Sequence, residues 1–151
     1  MRGSFRLLSL VCGVALAAGC GTAAPPLVQG SIKADPKTNP DAHGRPSPVV
    51  VRVYELKGVG AFSTADFFSL FDKESETLGP ELVGREEFDL RPGEVRSYKR
   101  QLQPDTKFIG VVAAFRDLEN SRWRQSAPVP AKKSDTITVG IEAQAVTVAI
   151  K

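Results

Sequence analysis

The chain has 151 residues, with 20 Lys and Arg against 17 Asp and Glu and a formal net charge of +3. Its cysteines are Cys12 and Cys20, and its one histidine is His43. These counts argue against a zinc site, a disulfide-stapled scaffold and a nucleic-acid groove, which need thiolates and imidazoles, paired cysteines, or cations clustered between aromatics.

Arg2 and Arg6 precede Leu7 to Ala18, an apolar run that is shorter than the roughly 20 residues a bilayer-spanning helix needs. A charged start, a short apolar core and small residues at the end read as a secretory signal. The run closes in "LAAGC", residues 16–20, with a cysteine where cleavage would fall. The pattern resembles a bacterial lipobox, although Ala17 stands where such motifs usually carry Leu and Leu16 lies one step further out. Residues 1–19 are therefore read as a lipoprotein signal peptide and Cys20 as the acylated first residue of the mature chain. Cleavage would remove Arg2, Arg6 and Cys12, leaving 18 basic against 17 acidic residues and no free thiol. Residues 20–27, small and proline-bearing, read as a flexible tether, and 28–151 as one domain.

Period two dominates from there. "LVQGSIKAD" reads as a first strand weakened by Gly30. "VVVRVYEL", 49–56, is a strong strand, with a bulge expected near Glu55 because Arg52 and Glu55 fall on opposite faces. "AFSTADFFSLFDKE" breaks the rhythm. Ser63 and Asp66 have capping-box spacing, Phe62 and Phe67 sit at staple positions, and one short amphipathic helix of two to three turns is expected over Thr64–Asp72. The cluster Phe62, Phe67, Phe68 and Phe71 is expected to pack in the core, the alternative being an exposed aromatic patch for a partner. "REEFDL" and "EVRSYKRQL" flank "RPGE", where Pro92-Gly93 suits a type II turn, and the two read as a hairpin. "FIGVVAAF", 108–115, is apolar on both faces, as a central covered strand would be. "RWRQSAPVP" carries Pro128 and Pro130 and reads as an edge. "TITVGI", 136–141, and "VTVAI", 146–150, read as the last hairpin. The fold class expected is all-β: a two-sheet β-sandwich with a short inserted helix.

Chemistry is scarce. His43 lies among turn formers, with no nucleophile elbow anywhere to complete a triad. Glu86 and Glu87 are adjacent on a strand, so they point to opposite faces and cannot flank one bond; one exposed and one paired carboxylate are expected. "GVG", 58–60, lacks the lysine of a phosphate loop. No catalytic residue, metal ligand or cofactor is expected, nor a nucleic-acid or small-molecule substrate. The proline-rich stretch 35–48 is the informative loop, read either as a solvated surface connection or as a loop stiffened in advance for recognition.

Five motifs in order carry a resemblance: the lipobox, "NPDAHGRPSPVVVRVYELK", "AFSTADFFSLF", "LRPGE" and "FIGVVAAFRDLENSRWR". Together the chain resembles the type VI secretion outer-membrane lipoprotein family (TssJ, VasD or SciN). The resemblance implies a transthyretin-like sandwich tethered through lipid on Cys20 to the inner leaflet of the outer membrane and facing the periplasm. Gly21, rather than Asp, after the cysteine fits that address. It also implies a structural role in a trans-envelope complex, with the loop between the first two strands, here Asp35–Ser47, binding the periplasmic C-terminal region of a large inner-membrane TssM/IcmF-like protein. The loop residues so implicated are Asp35, Asn39, Asp41, His43 and Arg45. The second reading is a lipid-anchored binding module for a small ligand or cell-wall glycan, with Tyr98 and Trp123 as a sugar platform.

Overall fold

The computed structural model describes residues 25–130 and 134–151. The signal segment, Cys20 and most of the tether lie outside the described residues. Eight strands form two four-stranded sheets: β1 (Leu27–Ala34), β2 (Val49–Leu56), β3 (Leu82–Leu90), β4 (Val95–Gln101), β5 (Phe108–Ala113), β6 (Arg124–Pro128), β7 (Ser134–Ile141) and β8 (Val146–Ile150). One sheet runs β4-β1-β7-β8 and the other β3-β2-β5-β6. The expected all-β sandwich is present.

The strand patterns follow from what covers each face. In β7, Ile137, Val139 and Ile141 point inward and are fully buried, while Thr136 and Thr138 face solvent. β5 is buried on both faces because Ile109, Val111 and Ala113 meet the opposite sheet while Val112 meets the helical insertion. The strand ends at Ala113, two residues earlier than the apolar run, yet Phe115 stays in the core at 4% exposure. The expected bulge falls between Glu55 and Leu56.

Gly30 has a steric purpose. β1 pairs with β7 in parallel, and a Cβ on Gly30 would lie 1.7 Å from the Ile137 carbonyl oxygen. Any side chain there would force the two backbones apart. Glycine weakens a strand by propensity, but here it permits the close approach on which the pairing depends.

Four expectations need correction. The "RPGE" turn forms, with Glu94 N–H donating to the Arg91 carbonyl at 3.0 Å and Gly93 at φ +76°. The strands it joins do not pair, however: β3 edges one sheet beside β2, and β4 edges the other beside β1. The turn is a corner between sheets, and Phe88 and Tyr98 meet across the core with ring centroids 6.0 Å apart. Local alternation is identical for a hairpin and a corner, so only competition among partners decides between them.

The inserted helix is three short ones, α1 (Gly60–Thr64), α2 (Phe67–Asp72) and α3 (Glu74–Leu78). Ser63 lies inside α1. The cap is Asp66, whose Oδ1 accepts from Ser69 N–H at 2.9 Å. Two arginines of the sheet take the carbonyls at the breaks: Arg124 Nη1 donates to the Phe62 carbonyl at 3.0 Å and to that of Ala65, and Arg52 Nη1 donates to that of Phe71. These bonds satisfy helix-end acceptors that would otherwise be orphaned. Phe62 is buried and Phe67 and Phe71 are partly so, but Phe68 is 63% exposed, against the expectation of a fully packed cluster.

Both adjacent glutamates are paired, not one. Glu87 Oε2 accepts from Arg52 Nε at 2.6 Å, and Glu86 pairs with Arg100.

Glu55 is a buried, fully partnered charge, with its side chain 2% exposed between the sheets. Arg100 Nε donates to it at 2.5 Å, Gln103 N–H at 2.8 Å and Thr106 Oγ1 at 2.7 Å. Breaking a buried pair by removing one partner costs about 3–5 kcal/mol, whereas exposed pairs contribute under about 1 kcal/mol. Glu55→Gln is therefore expected to lower stability by about 3 kcal/mol in chemical denaturation, and Lys57→Ala, which loses only the exposed pair with Asp105, by no more than about 0.5 kcal/mol. Gly30→Ala is expected to cost at least ~2 kcal/mol through overpacking, read as a lowered thermal midpoint.

Candidate functional site: the loop after the first strand

Strand directions sort the connections. β1 and β7 are parallel, while β4 and β8 run opposite to them, as do β3 and β5 to β2 and β6 to β5. The connections β1–β2, β3–β4, β5–β6 and β7–β8 consequently gather at one end of the sandwich. The N-terminal entry at Pro25–Pro26, the helices and the β4–β5 loop begin from the other. Leu102 N–H donates to the Pro26 carbonyl at 2.9 Å, fixing the point where the chain enters the first strand.

The β1–β2 loop is held from inside by three of the five sequence-derived residues. Asn39 is 4% exposed and adopts φ +50°, a left-handed conformation Asn tolerates better than most residues. Its Nδ2 donates to the Pro48 carbonyl at 2.7 Å, and its Oδ1 accepts from Arg116 N–H at 2.8 Å. It thus ties the loop to the start of β2 and to the β5–β6 loop. Thr38 is also fully buried and donates to the Glu142 carbonyl at 2.8 Å, adding the β7–β8 turn. Asp35 accepts from Lys37 N–H at 2.7 Å, and its carbonyl takes Thr38 N–H at 3.0 Å.

Asp41 organises the apex. Its Oδ1 accepts from His43 N–H at 2.8 Å and Arg45 N–H at 3.0 Å, and its Oδ2 accepts from Arg45 Nε at 2.7 Å. The loop closes on itself through Asp41 N–H to the Arg45 carbonyl and Gly44 N–H, at φ +76°, to the Asp41 carbonyl, both 2.9 Å. The Asp41 carboxyl is held below the usual carboxylate range, chiefly by Arg45 N–H, then by His43 N–H and the Arg45 guanidinium, against a desolvation that raises it. His43 and Arg45 are the two that face solvent, Arg45 with 75% of its side chain exposed. Asp35, Asn39 and Asp41 build the loop, and His43 and Arg45 present it.

Sequence reasoning missed the neighbours. Arg116, Asp117 and Gln144 form one wall of an open groove of about 430 Å³ whose other wall is Pro40, Asp41 and Ala42. Nothing local marks those residues; only the sheet order brings three loops together. The sugar platform does not exist. Tyr98 is 4% exposed between the sheets, while Trp123 packs edge-on against Phe67 at 5.3 Å.

Asn39→Ala removes two side-chain bonds and leaves a residue unsuited to positive φ. It is expected to cost about 2–3 kcal/mol and to speed amide exchange at positions 41–47. Asp41, with a folded pKa below 3.8, contributes to loop order above that ordinary value, and the contribution is lost as pH falls through the lower, folded one. The amide shifts of His43 and Arg45 are therefore expected to be flat at neutral pH and to move only in acid below the ordinary carboxylate range.

Comparison with known proteins follows the same lines. Over 82–84% of its length the chain is similar to three solved structures. The T6SS lipoprotein TssJ1 from Pseudomonas aeruginosa matches at 41% identity and TM-score 0.80, with 97% of that chain covered. Serratia marcescens Lip, described as a membrane bound component of the Type VI Secretion System, matches at 26% identity and TM-score 0.76, with 98% covered. A chain in a structure described as the T6SS protein TssM C-terminal domain (869-1107) from EAEC matches at 26% identity and TM-score 0.66, with 97% covered. No curated protein matches. The family model described as Type VI secretion lipoprotein, VasD, EvfM, TssJ, VC_A0113 matches residues 27–144, nearly the whole sandwich, and the chain belongs to that family of type VI secretion lipoproteins.

Proposed function

We propose that this lipoprotein is anchored in the outer membrane through Cys20, faces the periplasm, and serves as a structural component of the type VI trans-envelope complex. Its β1–β2 loop binds the periplasmic C-terminal region of the large inner-membrane TssM/IcmF-like protein. The observation that carries this reading is the polarity of the sandwich. The tether enters at the start of β1 and the loop leaves at its end, so eight residues of strand, about 25 Å at 3.3 Å each, separate anchor from apex. A loop placed there points away from the membrane that holds the lipid.

Further support comes from the EAEC comparison. The matched chain is covered over 97% of its length by 82% of this one, so the two are of similar size. The segment 869–1107 is about twice as long, which puts a chain of this size and fold in a structure named for that domain.

Two acyl chains give stable anchoring where one does not, at about 0.8 kcal/mol per buried CH₂. Cys20→Ser is expected to abolish lipid attachment, release the protein from outer-membrane fractions and stop secretion; flotation of the variant with outer membranes would refute the anchor. Replacing residues 40–46 with a Gly/Ser linker of equal length is expected to abolish binding to the partner's periplasmic region while the far-UV spectrum stays that of a β-protein. Retained affinity would move the interface elsewhere.

A further inference from the structure

We propose that Arg45 is a pre-oriented receptor for a carboxylate of the protein partner, with Asp41 as its positioning residue. The proposal rests on the docking reading above and adds the chemistry of the contact.

Asp41 is the one carboxylate within the apex segment 40–46, and it is turned inward. Its side chain is only 18% exposed, and three N–H donors occupy it. A partner approaching the apex meets Ala42, His43, Gly44, Arg45 and Pro46, all exposed. The strongest hydrogen-bonding group among them is the Arg45 guanidinium. Arg45 Nε is held by Asp41 Oδ2 at 2.7 Å. That bond fixes the plane of the group and uses the inner edge of its fork. The two terminal nitrogens make no hydrogen bond among the described residues and lie on the solvent side.

A planar fork with two free terminal nitrogens complements a carboxylate bidentately. Orienting a long side chain before contact also reduces the entropy lost on binding. Phosphate of a lipid headgroup would satisfy the same fork, but the apex lies at the end of the sandwich opposite the tether, away from the anchoring leaflet. The occupant assigned is therefore an Asp or Glu side chain of the partner protein.

Asp41→Asn separates the two jobs of Asp41. An Asn oxygen can still accept from the His43 and Arg45 amides and keep the turn, while its NH₂ cannot accept from Arg45 Nε. The experiment titrates the mature chain, purified with its lipid in detergent, against the periplasmic C-terminal region of the TssM-like protein of the same bacterium. Arg45→Gln is expected to weaken binding at least about tenfold, and Arg45→Lys to recover only part of it. Asp41→Asn is expected to weaken binding severalfold in the wild-type background and to add nothing in the Arg45→Gln background. A scan of the partner's exposed acids to amides is expected to yield one position that matches Arg45→Gln and adds nothing to it.

If the loop replacement abolishes binding but Arg45→Gln leaves affinity unchanged, the carboxylate assignment is overturned and the docking reading stands. If the loop replacement retains affinity, both fall. Full additivity of Asp41→Asn and Arg45→Gln overturns the positioning role of Asp41, and an acid scan with no matching position overturns the choice of partner group.

Discussion

The parallel pairing of β1 with β7 is the constraint from which the rest of the architecture follows. It places the first strand inside its sheet, hydrogen-bonded on both sides, not at an edge. It requires two backbones to pass where no side chain fits, and Gly30 meets that requirement. With β1 and β7 running the same way, the remaining strands alternate around them, and four connections fall at one end. The loop end of the molecule is thus set by pairing within the sheets, far from the loop residues themselves.

The sandwich has no covalent staple among its described residues, and buried carboxylates and arginines take over part of that work. Glu55 stitches β2 to β4 and to the β4–β5 loop. Arg52 joins Glu87 of β3, Glu74 of α3 and the Phe71 ring, 3.7 Å from its guanidinium carbon, to one strand. Arg124 does the same for the break between α1 and α2. Each of these three side chains meets two or more polar partners, which is the condition under which burying a charge is tolerable. At the other end Asn39 and Asp41 use the same chemistry on a loop. A segment rich in proline and polar residues is thereby ordered while His43 and Arg45 stay exposed at its apex.

The strands were legible because their periodicity reports burial directly. Thr136 to Ile141 alternates as a half-covered strand must, and Phe108 to Ala113 does not because helices cover its second face. The corner at Pro92-Gly93 was not legible as a corner: turn chemistry fixes four residues, and the choice between pairing β3 with β4 or with β2 is made by competition across the whole chain. The helix start is not legible locally: Ser63 and Asp66 are both capping residue types, and Arg124, distant in sequence, binds the carbonyls of Phe62 and Ala65 at the break. At the loop, residue types identified the right segment but not the division of labour within it. Asn39 looked like a contact residue and is buried; its positive φ has no signature beyond the identity Asn. Arg116 could not be found at all without the sheet order.

One consequence of the layout concerns force. If the domain bridges an anchor and a partner as proposed, any load on it has a defined path. On the proposed anchoring and docking, tension between the N-terminus and the loop would enter β1 at Leu27 and leave it just past Ala34. The pull runs along the strand axis, so the hydrogen bonds to β4 and β7 are loaded in shear, all together, and none is peeled open in turn. The helices, β3 and β6 carry none of it directly. In mechanical terms the domain is a tie-rod with a jacket: one strand transmits, and the other seven keep it straight.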